Sequence, residues 1–191
     1  MRVTKSLVIQ VASDLADQNG LNLISLKAVA DKLNIRTPSL YNHIDSLDDL
    51  LRAVAHKGMS EVNEQMAQAA IGVTGDAAIK AVGLVYLNYM FAHPGIYETI
   101  QWASWHGTEE TTSIYENYTT LLITLIHSCH FEEAYTHKIL DLLTGIFHGY
   151  TSMQLRYVLT TPEETRSEFI DAIDTVLTGA RQKYSSVATQ D

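Results

Sequence analysis

Residues 25–51 read SLKAVADKLNIRTPSLYNHIDSLDDLL, and the order of apolar and capping residues in this stretch decides the fold. Ser25 has the side chain of a helix N-cap, and Leu26, Val29, Ala30 and Leu33 recur at the spacing of one helical face. Asn34 and Ile35 break that period, and Asn enters the left-handed backbone region more readily than most residues. Thr37 then offers a second N-cap, with Pro38 at the first helical position, where no amide hydrogen is needed. Leu40 and Ile44 lie four apart and give the second helix a narrow inward face. Thr37, Ser39, Tyr41, Asn42 and His43 are left on its more exposed faces. A very short helix rich in hydroxyl, amide and imidazole groups suits the major groove of DNA. Ser46-Leu47-Asp48-Asp49 has capping-box spacing with a shortened acid, and starts a long third helix running to about Ala70. Gly58 within it marks a bend or a close packing contact.

Outward from this stretch the whole chain reads as helical. Thr4 caps a first helix that stops at Asn19-Gly20, with Val8, Val11, Ala12 and Leu15 as its buried stripe. Beyond Gly72-Val73-Thr74-Gly75, Asp76 is expected to cap a helix reaching His93, which Pro94-Gly95 ends. Further helices are expected at about Ile96–Ser104, Glu109–Ser128, Glu132–Val158 and Pro162–Tyr184, with a frayed tail from Ser185. No strand-like alternation persists, so the fold class is all-α. A head of residues 1–46 reads as one domain, and residues 47–191 as a second. The last two helices carry more apolar residues than one small core needs. Leu142, Ile146, Gly149, Met153, Ile173, Val176 and Leu177 are the candidate interface of a homodimer, a two-fold four-helix bundle in which glycine lets helices approach.

Composition narrows the function classes. The 191 residues carry a net charge of −9, which at first sight opposes DNA binding. The charge is unevenly placed: residues 1–57 hold seven Lys/Arg against six Asp/Glu, a net of +1, so the excess acid lies in the remainder. No run approaches the roughly 18 apolar residues of a membrane span. The first twenty residues are interrupted by Asp14 and Asp17, unlike a signal peptide, and the lone Cys129 fits a reducing compartment. A cytoplasmic location is expected, with no membrane partner.

The segment resembles the helix-turn-helix of the TetR family of bacterial transcription regulators. Ala30, Leu33, Ile35, Leu40, Tyr41, His43, Ile44 and Leu50 stand in register with the family pattern, and Leu-Tyr-x-His at 40–43 is its most specific part. Asn34 replaces the usual turn glycine, and Leu47 stands where the family usually has a phosphate-binding lysine. The resemblance implies a double-stranded DNA operator contacted by Lys27, Arg36, Thr37, Ser39, Tyr41, Asn42 and His43. It also implies a small-molecule effector. The aromatic set of the middle and later helices, Tyr86, Tyr89, Trp102, Trp105, His106, Tyr118, Phe147 and Tyr150, is the candidate wall of its cavity. Trp105-His106-Gly107 resembles the motif that names the WHG subgroup of TetR C-terminal domains, and Phe147-His148-Gly149-Tyr150 resembles its dimerisation helices. The function this implies is a ligand-responsive repressor, released from DNA by a hydrophobic or aromatic molecule. The alternative is a helical binding dimer whose head has lost DNA binding, motivated by Leu47, Asp45, Asp48 and Asp49.

Other chemistries find little support. His127, Cys129, His130, Glu133 and His137 lie close in sequence but straddle a helix end and a loop, so no metal site is assigned. No phosphate loop, nucleophile elbow or dinucleotide fingerprint is present; no enzyme activity and no cofactor are expected.

Overall fold

The computed structural model describes residues 2–157 and 161–184. Eight α-helices are found among them: α1 (Lys5–Asn19), α2 (Leu26–Lys32), α3 (Leu47–Ala69), α4 (Gly75–Ala92), α5 (Pro94–His106), α6 (Glu109–His127), α7 (Thr136–Tyr157) and α8 (Pro162–Tyr184). Short 3-10 turns occupy Leu21–Leu23, Thr37–Asn42 and Glu133–Tyr135, and no strand occurs among the described residues. The chain divides into two compact units. One spans residues up to 61 together with 92–115, and the other 62–91 with residues from 116 onward. The first unit thus groups the helix-turn-helix with α1, the first part of α3, α5 and the start of α6.

In the first unit, α1 begins where Thr4 Oγ1 accepts the Leu7 amide at 3.2 Å and ends at Gly20, whose φ of 77° suits glycine. Its buried face is Val8, Ala12, Ser13 and Ala16, one step round from the expected stripe. Asp17 leaves α1 to cap α5. Its Oδ1 accepts the Gly95 and Ile96 amides at 2.9 and 3.1 Å, and its Oδ2 accepts a hydrogen bond from His93 Nδ1 at 2.8 Å. The anion thus sits on the amide-rich end of a helix whose own N-cap residue, His93, makes no side-chain capping hydrogen bond to that helix. α4 ends at Ala92, just before Pro94 as expected, and Pro94 also occupies the first turn of α5. Gly95 is required there: a Cβ would lie 2.0 Å from the Ala16 carbonyl carbon. Gly58 is likewise a packing contact, since a Cβ would meet the Ile96 methyl at 2.1 Å.

The second unit is built round Phe147 on α7 and Phe169 on α8, both fully buried, with ring centroids 5.4 Å apart. Tyr86 of α4 packs on Phe147 at 5.5 Å, and Gly83 one turn earlier leaves room for the Phe147 ring edge. Lys80–Asp174 (2.9 Å), Arg181–Asp76 and Arg166–Asn88 (2.7 Å) tie α4 to α8 along their length. Asp76 therefore acts as an ion-pair partner within the first turn of α4 and not as its N-cap. The guanidinium beside it holds its carboxyl below the usual value. Cys129 donates to the Leu125 carbonyl at 3.5 Å, and burial pushes its thiol up to about 12, so it is an inert structural side chain. Glu132 does not begin α7: a 3-10 turn precedes its start at Thr136. The start of α8 is a complete capping box, with Thr161 Oγ1 accepting the Glu164 amide and Glu164 Oε2 accepting the Thr161 amide. The expected helix end at Val158 and the tail from Ser185 lie outside the described residues.

Candidate nucleic-acid interface

Ser25 Oγ accepts the Ala28 amide at 3.1 Å and starts α2 as its side chain suggests. The end of α2 is a Schellman motif, with Ile35 N–H on the Ala30 carbonyl at 3.0 Å and Asn34 N–H on that of Asp31 at 3.1 Å. Asn34 sits at φ 55°, the left-handed position normally filled by glycine. This geometry turns the chain so that Leu40 and Ile44 face inward, both buried. The second element is a 3-10 run, Thr37–Asn42, and not the expected α-helix. Arg36, with extended backbone, holds the N-cap position, its carbonyl accepts Ser39 N–H at 2.8 Å, and Thr37 makes no side-chain cap. With one buried residue in six, this segment has too little packing to enforce a longer helix.

The exposed face that results carries Lys27, Arg36, Ser39, Tyr41 and Asn42, with Thr37 and His43 half-buried beside them. Tyr41 is 56% exposed. Donors and acceptors of four chemical kinds thus share one short turn. That mix serves both phosphate oxygens and base edges.

Leu47, the position lacking a lysine, has a structural use. It packs with Leu21 and Trp102 against the buried cluster Ala16, Ile24 and Leu51, joining α1, α3 and α5. Above it, Ser46 Oγ accepts the Asp49 amide at 3.0 Å. Asp49 Oδ2 reaches back to the Asp45 amide at 3.1 Å, one residue beyond the usual capping-box partner. Replacing Leu47 by lysine is expected to lower the melting temperature by about 2–4 °C, for a loss of about 1 kcal/mol of packing. It should also steepen the salt dependence of DNA binding by about one phosphate contact. Calorimetry and binding titrations at two salt concentrations check both parts.

The aromatic candidates separate between the two units. Trp102 belongs to the cluster just described and stacks on His106 at 4.5 Å, while His106 Nδ1 donates to the Trp102 carbonyl at 2.9 Å. Trp105 is 86% exposed, on an open depression of about 550 Å³ that Thr112 and Tyr115 also line. Tyr86, Tyr89, Tyr118 and Phe147 are buried in the second unit, with Tyr150 half-buried against Phe169. Tyr86 Oη lies 3.1 Å from His148 Nδ1, a polar pair among apolar rings, and burial holds the His148 imidazole below its ordinary value. His148 was not among the expected residues. Its position next to Phe147 in the sequence was the available signal.

The candidate dimer residues also divide. Leu142 (46%) and Met153 (39%) are exposed, Ile146 and Val176 are half-buried, and a Cβ at Gly145, Gly149 or Gly179 would meet nothing within 4 Å. Ile173 and Leu177, by contrast, are fully buried within the chain, with Ile173 near Gly83. Their α8 face is the one turned to α4, so they form core and offer no surface to a partner.

Comparison with known proteins settles the family. Residues 79–176, just over half of the chain, match the tetracyclin repressor-like C-terminal domain. The chain belongs to the TetR-like family. An uncharacterised helix-turn-helix-type transcriptional regulator, YobS of Bacillus subtilis, is 28% identical over 179 residues, which covers 93% of this chain and 92% of the relative. Among solved structures, a TetR variant from Acinetobacter baumannii AYE in complex with minocycline superposes with a TM-score of 0.73 at 17% identity, over 97% of this chain and all of that one. A protein of unknown function from Rhodococcus sp. RHA1 gives 0.81 at 15% identity, over 94% and 96%. As a family member the chain is a transcriptional regulator and not an enzyme. No helix among the described residues is long and apolar enough to cross a membrane.

Proposed function

We propose that the protein is a homodimeric, cytoplasmic repressor that holds two operator half-sites through the segment from Arg36 to His43. The observation that carries this is the capped α2, Schellman turn and 3-10 unit, which exposes Lys27, Arg36, Ser39, Tyr41 and Asn42 together. On this reading residues 1–46 form the DNA-reading head and residues 47–191 the regulatory part. The exposed Leu142 and Met153, with the open Gly145 and Gly149, supply the two-fold contact through α7, and Val176 and Gly179 extend it on α8. Trp105-His106-Gly107, at the end of α5, supports a place beside the WHG subgroup. The effector is a small, mainly apolar or aromatic molecule. It opens the packed rings of Tyr86, Tyr118 and Phe147, with Tyr86 Oη and His148 as its polar anchors. Only its differential affinity for a dimer whose heads are wrongly spaced drives release.

A mobility-shift titration against the intergenic DNA beside the protein's own gene tests the DNA half of this reading. A retarded complex at low salt is expected. Tyr41→Ala with Asn42→Ala should weaken it about tenfold or more, for a loss of one or two contacts of about 1–3 kcal/mol. An equally strong shift from that double variant contradicts the assignment of the contact face.

A further inference from the structure

His56 on α3 is buried and has no part in the DNA face. Its Nε2 lies 2.7 Å from Thr111 Oγ1, and its Nδ1 lies 3.6 Å from Glu110 Oε2, both at the start of α6. Thr111 Oγ1 is also the acceptor of the Thr108 amide at 3.0 Å, the bond that closes the first turn of α6. One hydroxyl oxygen therefore serves the cap of α6 and the imidazole of α3 together. In the neutral ring, Nδ1–H turned to Glu110 leaves Nε2 to accept the Thr111 proton. A second proton converts Nε2 to a donor, so the Thr111 hydroxyl must turn and take two N–H groups at once. Beside this junction lies a cavity of about 290 Å³ lined by His56, Lys5, Asp49, Arg52 and Glu110 among others, which gives water a route to the ring.

We propose that His56 is an acid-operated clasp within the first compact unit: neutral, it ties α3 to the start of α6, and protonated, it lets the two part. The charged groups facing it oppose one another. Glu110 of α6 and Asp49 of α3 favour the imidazolium, and Arg52 of α3 disfavours it, with Lys5 of α1 on the same cavity. Burial outweighs the carboxylates and holds the closed imidazole below its ordinary value of 6.5. An opened, hydrated His56 takes its proton nearer 6.5 than the closed one does. Acidification through that range therefore favours the open junction, until the closed form is itself protonated. Because α3 starts at the helix-turn-helix, opening alters the support of the head. That consequence for DNA rests on the proposed function, whereas the clasp does not.

The test is amide hydrogen exchange at Thr108, corrected for the intrinsic pH dependence, on the full chain at pH 7.5 and 5.5. The wild type should lose protection severalfold, and at most about tenfold, on acidification. His56→Gln keeps an amide for Thr111 and does not titrate, so it should change less than twofold, with circular dichroism at pH 7.5 confirming its fold. Glu110→Gln alters a largely exposed side chain and removes the charge that helps the closed ring accept a proton, so it should lose more protection than the wild type. Unchanged protection in the wild type overturns the proposal. So does an equal loss in His56→Gln, or a loss in Glu110→Gln no deeper than that of the wild type. DNA binding measured on the same three proteins fails separately if the head does not bind DNA at all.

Discussion

Gly95→Ala is expected to be the most damaging small substitution in the chain, lowering stability by more than about 3 kcal/mol. The added Cβ would lie 2.0 and 2.1 Å from the carbonyl carbon and oxygen of Ala16 and 2.5 Å from the Asp17 nitrogen. All three are backbone atoms, and no side-chain rotation relieves the overlap. Separating α1 from α5 would also withdraw the Asp17 carboxylate from the Gly95 and Ile96 amides, leaving two donors at a helix N-terminus without their acceptor. Gly58→Ala offers a control. It meets side-chain atoms of Ile96 and Ile100 and no backbone atom among its three nearest contacts, and should cost less, about 1–3 kcal/mol. Chemical denaturation of both variants checks the order. Equal stabilities would mean that α1 and α5 do not approach as closely as the structure shows.

Phe147→Ala carries the second large expectation, a loss of about 3–5 kcal/mol and a fall in melting temperature on the order of 10 °C. The ring is fully buried and touches Tyr86, Phe169 and the gap left by Gly83, so its removal leaves a hole that three helices must close or tolerate. The same experiment discriminates between two uses of the aromatic set. A ring that mainly lines an open effector cavity loses little when truncated, and a cost below about 1 kcal/mol would support that use. A cost in the expected range makes Phe147 part of the resting core, which an effector must displace in order to enter.

Local chemistry was legible in the sequence and long-range chemistry was not. Thr4 and Ser25 cap the helices that their hydroxyls announce, because a cap involves residues only two or three positions apart. Asn34 is left-handed as its side chain permits. Thr37 has the same hydroxyl but does not cap, since the chain enters a 3-10 turn at Arg36. Asp76 pairs with Arg181 where a cap is expected for a related reason: that partner stands 105 positions away, and no local pattern reveals it. Asp17, which caps α5 across a separation of 78 residues, left no local signal at all. Amphipathic spacing likewise marks Ile173 and Leu177 as apolar without saying whether their face meets α4 or a second subunit. Trp102 and His106 show why aromatic residues are ambiguous in sequence, since the same rings serve cavities and helix seams, and here they stack on each other beside the Leu47 cluster. At Leu47 the sequence showed a missing charge, and only the packing shows what replaced it.

The central claim is that Arg36 to His43 reads DNA as one of two symmetric half-sites. Its most direct test is hydroxyl-radical footprinting on a duplex selected by the protein from a random pool at low salt. The account predicts two protected segments centred roughly 34–36 Å apart along the helix axis, both lost in the Tyr41→Ala, Asn42→Ala double variant. Absence of any protection by the wild type, or full protection by the double variant, would contradict it.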